Sequence, residues 1–307
     1  MISQKLFKEK LRNLWLENQY SLPEDVIAAL RRAGAEEKNP LACLHFQINL
    51  QSLAETKPAN IPLCGDTGLP VYYIIFGEKA LCSIEGGIDS LIRELRAAVS
   101  EATEKVPMRA NVVHPLQRNE CPGNVGKDFP YLYTQVRPGV DYIEITAVSF
   151  GGGPELMGQC AQVLPPMTGI KGIQKLAIDT VIRTNSGNNC NPQVVGVAIG
   201  GSLDIATSLA KQAAVLRPVG DRHPCSDIAA MEDELLEIVN ELDLGPWGLG
   251  GKNTILDVHF EMTETHIVTL PVAVYMHCPA IRRTTARFYA DSRSEEGILN
   301  SWFSPSR

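Results

Sequence analysis

The chain has little that would place it in a membrane, in an oxidising compartment or on nucleic acid. None of its apolar runs approaches the roughly 20 residues of a membrane span. The opening MISQKLFKEKLRNLWLEN interleaves Lys and Arg with Leu and Phe, and lacks the apolar core of a secretory signal. No membrane partner is expected, and a cytoplasmic location is. Lys and Arg number 28 against 35 Asp and Glu, a net charge of −7, with no long basic stretch. Nucleic acid needs a positive footprint, so no such partner is expected, whereas a small anion needs only a local Arg or Lys. No CxxC pair occurs among the eight cysteines, at positions 43, 64, 82, 121, 160, 190, 225 and 278. For an intracellular chain this predicts reduced, partly buried thiols without disulfides. Internal repeats, low-complexity linkers and heptads are absent too.

What is present reads as alternating but irregular elements. Helices are predicted over 4–17, 24–36, 40–56, 87–104, 171–184, 203–215 and 225–241. Apolar spacing such as Ile88, Leu91, Leu95 and Val99 supports them. Strands are predicted over 70–77, 131–137, 141–149, 194–201, 255–261 and 266–276, where β-branched and aromatic residues concentrate. The turn NSGNNCNP fills 185–192. Residues 106–130 show no convincing period, and a loop that long is usually functional or disordered. Helices and strands mix without strict βαβ alternation. The expectation is a mixed α/β (α+β) fold, one large domain over 1–292 followed by a short tail over 293–307.

Three cysteines stand apart from the rest. Cys64 lies in IPLCGDTGLP, where Gly and Pro at high density specify a defined loop. Cys190 lies in SGNNCNP just before an apolar strand, and Cys278 lies in MHCPAI just after one. Cys121, in ECPGN, also sits in a loop. Three thiolates brought together from distant positions can hold a 4Fe-4S cluster and leave one iron without a protein ligand. Three cysteines and a histidine can equally hold zinc, which fits a non-catalytic scaffold protein. A thiol nucleophile at Cys64 served by His266 is a third possibility on residue types alone.

Six blocks taken together resemble one family. They are CGDTG at 64–68, RANVVHPL at 109–116, GGG at 151–153, NCNP with VGVAIGG across 189–201, LRPVGDRHP at 216–224, and the twelve-residue step from His266 to Cys278. In this order, over about residues 25–292, they resemble the iron–sulfur hydro-lyases, the class I fumarases and L(+)-tartrate dehydratases, and within them the separate α subunit. The resemblance implies the fold of the N-terminal domain of class I fumarases. It also implies reversible addition or removal of water on a small dicarboxylate, with fumarate/(S)-malate the first expectation and L(+)-tartrate the alternative.

Nothing after Asp291 resembles the further C-terminal domain of single-chain fumarases. A separate β subunit of roughly 200 residues, a usual domain size, is therefore expected as partner, in an α2β2 assembly whose active site is shared between chains. The family's catalytic threonine belongs to that partner, so this chain alone is expected to be inactive.

The resemblance also assigns roles by position. Cys64, Cys190 and Cys278 match the three cluster ligands, with one iron of the 4Fe-4S cluster not bound by protein. Asp66 and His266 match catalytic residues. Gly65, Asp66, Arg109, Gly152 and His266 match substrate contacts: a guanidinium fork suits a carboxylate, and a glycine permits close backbone approach. Gly65 departs from the glutamine common in the family, which bears on substrate preference, and ECPGNVG departs from the usual NTG-type loop. His114, Asn119 and Asn124 are candidate pocket residues. Arg217, Arg222, Arg282 and Arg283 are further basic points whose ordinary reading is ion pairs or contacts with the partner.

Overall fold

A computed structural model describes residues 2–185 and 190–304. The elements in chain order are α1 Gln4–Tyr20, α2 Glu24–Glu36, α3 Pro40–Ala59, β1 Leu69–Gly77, α4 Glu78–Leu81, α5 Gly87–Lys105, β2 Tyr131–Arg137, β3 Tyr142–Phe150, α6 Gly152–Met157, β4 Gln159–Leu164, α7 Gly169–Thr184, β5 Gln193–Gly201, α8 Leu203–Leu216, α9 Ser226–Asn240, β6 Ile255–Thr265, β7 Leu270–His277, β8 Arg282–Tyr289 and β9 Ser294–Glu296. The mixed α/β class is as the sequence predicts. Within it the chain forms two units, one from Met1–Pro23, Ser52–Gly151 and Arg282–Arg307, the other from Glu24–Gln51 and Gly152–Ile281. Five elements go unrecognised in sequence: α4, α6, β4, β8 and β9. Residues 186–189 of the expected turn lie outside the described residues.

The first unit is built on a five-stranded sheet in the order β2-β1-β3-β8-β9. β1 and β2 are parallel and the other pairs antiparallel. Alternation along each strand divides its two faces. Tyr72, Ile74, Phe76, Ile143, Ile145 and Phe288 pack with Phe7, Leu11 and Trp15 of α1 and with Leu91, Leu95 and Val99 of α5. Tyr73 belongs to the other face, where it stacks on Tyr133 at 4.9 Å and meets Trp302 edge-on at 5.1 Å. The stretch expected to be a tail is therefore part of the fold through Ser304. β9 extends the sheet, Ser301 donates to Glu144 through its backbone N (2.7 Å) and Oγ (2.9 Å), and Arg137 donates to the Trp302 carbonyl at 2.6 Å.

The second unit carries a four-stranded sheet in the order β4-β7-β5-β6. β5 and β6 are parallel; β7 is antiparallel to β4 and β5. Val195, Val197 and Ile199 pack with Ile173, Leu176 and Val181 of α7 and with Leu235 and Val239 of α9. Gly196, on the opposite face, lets α8 close in. A Cβ there would stand 2.1 Å from the Ala210 carbonyl oxygen, so only glycine fits.

Arg217 follows α8 and faces two carboxylates. It pairs with fully buried Glu232 of α9 and lies 3.6 Å from Glu261 of β6. Burial, helped by the charge of Glu232 and opposed by Arg217, pushes the Glu261 carboxyl up to about 7. A raised acid holds its proton in the folded state where the unfolded chain has released it. Its contribution to stability is complete below the ordinary value of 4.5 and is lost as pH rises through about 7. The melting temperature is expected to fall between pH 5 and pH 8, and Glu261→Gln to flatten that fall; unchanged pH dependence in the variant, by thermal unfolding, would contradict the assignment.

Candidate active site

In the first unit the loop before β1 is held from several sides. Leu63 N donates to the Gln19 carbonyl at 2.9 Å, and the Thr67 hydroxyl to the Arg109 carbonyl at 2.6 Å. Asp66 is anchored within the loop. Its backbone N lies 3.5 Å from Cys64 Sγ, its Oδ1 accepts from Gly68 N at 3.0 Å, and Asn111 Nδ2 donates to the same oxygen. Gly68 has φ 82°, and a Cβ there would meet the Phe150 carbonyl oxygen at 2.9 Å. Both facts explain why glycine closes the turn.

The irregular stretch 106–130 is fastened to this loop by Asn124. Its Oδ1 accepts from Asn111 N at 2.7 Å and Val112 N at 2.8 Å, and its Nδ2 donates to the Gly68 carbonyl at 2.9 Å. Asn124 is thus a fully buried clamp and not the pocket residue expected from sequence. Asn124→Ala is expected to cost about 2–3 kcal/mol, because it strands several buried partners; chemical unfolding measures it. His114 and Asn119 are exposed, in a turn closed by His114 N donating to the Asn119 carbonyl at 2.8 Å.

Cys64, Asp66 and Arg109 are therefore joined by one network within one unit. Arg109 presents an exposed guanidinium with no ion-pair partner among the described residues. Gly65 is exposed, and a Cβ there would meet nothing within 4 Å.

The second unit brings Cys190 and Cys278 to one end of its sheet. Val194 of β5 pairs with His277 of β7, so the segment entering β5 and the segment leaving β7 are neighbours. Cys190 is exposed and Cys278 half-buried. α6, which Gly152 opens, is joined to the same end: the Gly158 carbonyl accepts from Met276 N at 2.7 Å. Two further residues there escaped sequence reasoning. His45 Nε2 lies 3.0 Å from the Asn191 carbonyl oxygen, and burial holds its imidazole below the usual range against that contact. Gln193 is fully buried, with no hydrogen-bond partner for its side-chain oxygen or nitrogen among the described residues. An unsatisfied buried amide costs about 1–3 kcal/mol.

His266 is not brought to Cys278. The strand expected from 266 begins at Leu270, and His266 lies in the preceding turn, where its carbonyl accepts from Thr269 N at 2.9 Å. All of β7 then separates the two residues, about 23 Å at 3.3 Å per residue. Twelve residues of extended chain span a sheet instead of bridging a site.

The four arginines are resolved by their surroundings. Arg217 is in the buried pair with Glu232, and Arg222 bonds Asp233 at 2.6 Å and Asp257 at 2.8 Å. Arg282 is buried and donates to Gln19 Oε1 at 3.0 Å, while Arg283 is buried within β8. Cys121 is tied by its backbone N to the Val112 carbonyl at 2.9 Å. The described residues include all eight cysteines, and none of these is in a disulfide. Among the described residues no group of three or more His, Cys, Asp or Glu is assembled to hold a metal ion. The three candidate thiols stand at strand ends, Cys64 on one unit and Cys190 with Cys278 on the other.

Known proteins align with nearly the whole of this chain. The profile of a family described as fumarate hydratase (Fumerase) matches residues 8–287. A Methanocaldococcus jannaschii protein provisionally named L(+)-tartrate dehydratase subunit alpha is 38% identical over 281 residues, covering 91% of this chain and 96% of the relative. The L(+)-tartrate dehydratase subunit alpha of Escherichia coli strain K12 is 33% identical over 270 residues, covering 88% and 86%. That of Shigella sonnei strain Ss046 aligns with the same identity and coverage.

Proposed function

The chain belongs to the fumarate hydratase (Fumerase) family, and from that membership we propose that it is the α subunit of a hydro-lyase acting on a small 2-hydroxy dicarboxylate. The observation that carries the reading is the network joining Cys64, Asp66 and Arg109, which places a thiol, a held carboxylate and an exposed guanidinium on one loop system. Two substrates fit this chemistry: (S)-malate, in exchange with fumarate, and L(+)-tartrate. The names of the relatives favour the second, and the family description the first.

Each residue has a definite task in this reading. The Arg109 guanidinium grips one substrate carboxylate through its planar fork. Asp66, its Oδ1 fixed by Asn111 and Gly68 N, holds or moves a proton beside the carbon or hydroxyl that reacts. The exposed backbone of Gly152 offers a contact to the substrate. Gly65 leaves open space where a longer side chain would reach in. His266 has no task at the Cys278 end of its own chain, which the length of β7 sets apart from it.

Cys190 and Cys278, outside any disulfide and at one end of a sheet, are thiol donors of the kind a 4Fe-4S cluster takes, and the family resemblance adds Cys64 to them. Cys64, Cys190 and Cys278 would hold it and leave one iron without a protein ligand. Such a cluster supplies Lewis acidity toward a leaving hydroxyl. No helix among the described residues is long and apolar enough to cross a membrane. We place the enzyme in the cytoplasm, with a β subunit of roughly 200 residues, a common domain size, in an α2β2 assembly.

The test is a paired assay. The chain is co-expressed with its β subunit, the cluster is rebuilt without oxygen, and turnover of (S)-malate is compared with that of L(+)-tartrate. Water release from either, and none by the chain alone, is expected. A colourless protein with stoichiometric zinc and no turnover would replace this reading with the scaffold.

A further inference from the structure

Gln193 is anomalous in its strand. The buried positions that follow it in β5 are valine, glycine, alanine and isoleucine, yet this fully buried residue carries a primary amide with neither end satisfied among the described residues. Burying such a group without a partner is unfavourable, so its position suggests a partner that is not part of the chain's own backbone or side chains.

The position is specific. Val194 and His277 form the last pair of the β5–β7 ladder, and Gln193 and Cys278 are the residues next to that pair on the two chains. Gln193 also follows Cys190 by three residues. Its amide thus belongs to the same end of the sheet as the two thiols assigned to the cluster, and sulfurs bound to iron accept hydrogen bonds. Donors of this kind favour the reduced, more negative form of a cluster and raise its reduction potential.

We propose that the Gln193 side chain donates a hydrogen bond to a sulfur of the iron–sulfur cluster held at Cys190 and Cys278, and that it thereby sets the potential of the cluster. This rests on the cluster reading above. Gln193 touches the cluster and has no role in moving the substrate's protons.

The experiment uses the complex with the β subunit, its cluster rebuilt without oxygen. In the unmodified protein, with glutamine side chains labelled by 15N, pulsed EPR of the reduced cluster is expected to show coupling to a side-chain nitrogen, and Gln193→Leu to abolish it. Redox titration of Gln193→Leu is expected to show a more negative potential, by about one tenfold change in the reduced-to-oxidised ratio, which is 59 mV for one electron. Gln193→Glu, which keeps the length and removes both donors, is expected to move the potential the same way. A loaded cluster without nitrogen coupling in the unmodified protein overturns the proposal even if neither variant folds. So does an unchanged potential in Gln193→Leu. If the unmodified complex loads no cluster at all, the cluster reading itself fails first.

Discussion

Cys278→Ser is expected to abolish turnover, with a fall of at least about a thousand-fold, while the protein remains folded. The size follows from what a metal contributes: several kcal/mol of transition-state charge stabilisation, where every 1.36 kcal/mol is tenfold in rate. Serine nearly preserves the volume of a half-buried thiol at a strand end, so little packing is lost. Iron and acid-labile sulfide should fall together, and with them the brown colour of an iron–sulfur protein. Cys82→Ser, at an exposed thiol in the first unit, should change none of these. Full activity in Cys278→Ser would remove Cys278 from the ligand set.

The second large effect is expected at Asp66. Asp66→Asn should lower kcat by about 10²- to 10⁴-fold, the usual worth of a positioned proton-transfer group, with KM and the cluster spectrum little changed. The substitution is conservative for the loop. The asparagine oxygen can still accept from Gly68 N and Asn111 Nδ2, the two donors that now hold Oδ1. What is lost is the ability to carry a proton. If kcat stays within a few-fold of the unmodified enzyme, Asp66 is only a turn residue bonded to its own backbone.

Much of the fold was legible because hydrophobic periodicity speaks directly of burial. α5 and β1 appear within a residue or so of their expected bounds. β8 was missed for a physical reason. RRTTARFY reads as polar surface, yet Arg282 is buried against Gln19, and Arg287 pairs with Glu144 at 2.7 Å. Arginines held by partners more than a hundred positions away, one by an amide and one by a carboxylate, leave no local trace. The candidate site was legible mainly where its residues are sequence neighbours, as with Cys64 and Asp66. Asn111, which holds the Asp66 carboxylate, and Asn124, which fastens the loop, are ordinary loop asparagines in the sequence. The spacing from His266 to Cys278 says nothing of direction: β7 carries the chain away from His266 at full extension. Gln193 stands out only once the sheet brings its strand end to that of Cys278 and burial shows its amide unanswered.

The route of the chain has a consequence for synthesis. The first unit is assembled from three separated segments, and Asn18, in its first helix, bonds the Arg282 carbonyl at 2.8 Å across 264 residues of sequence. During translation α1, β1 and β3 leave the ribosome long before β8, the strand that pairs with β3. The second unit, apart from α2 and the start of α3, is one continuous stretch and can form while the first still waits with an open edge on β3. Until β8 arrives, that edge is available to any other strand. The segment from Arg282 onward thus closes the first unit, and a nascent chain stalled before Arg282 would be a ready target for aggregation or for chaperones.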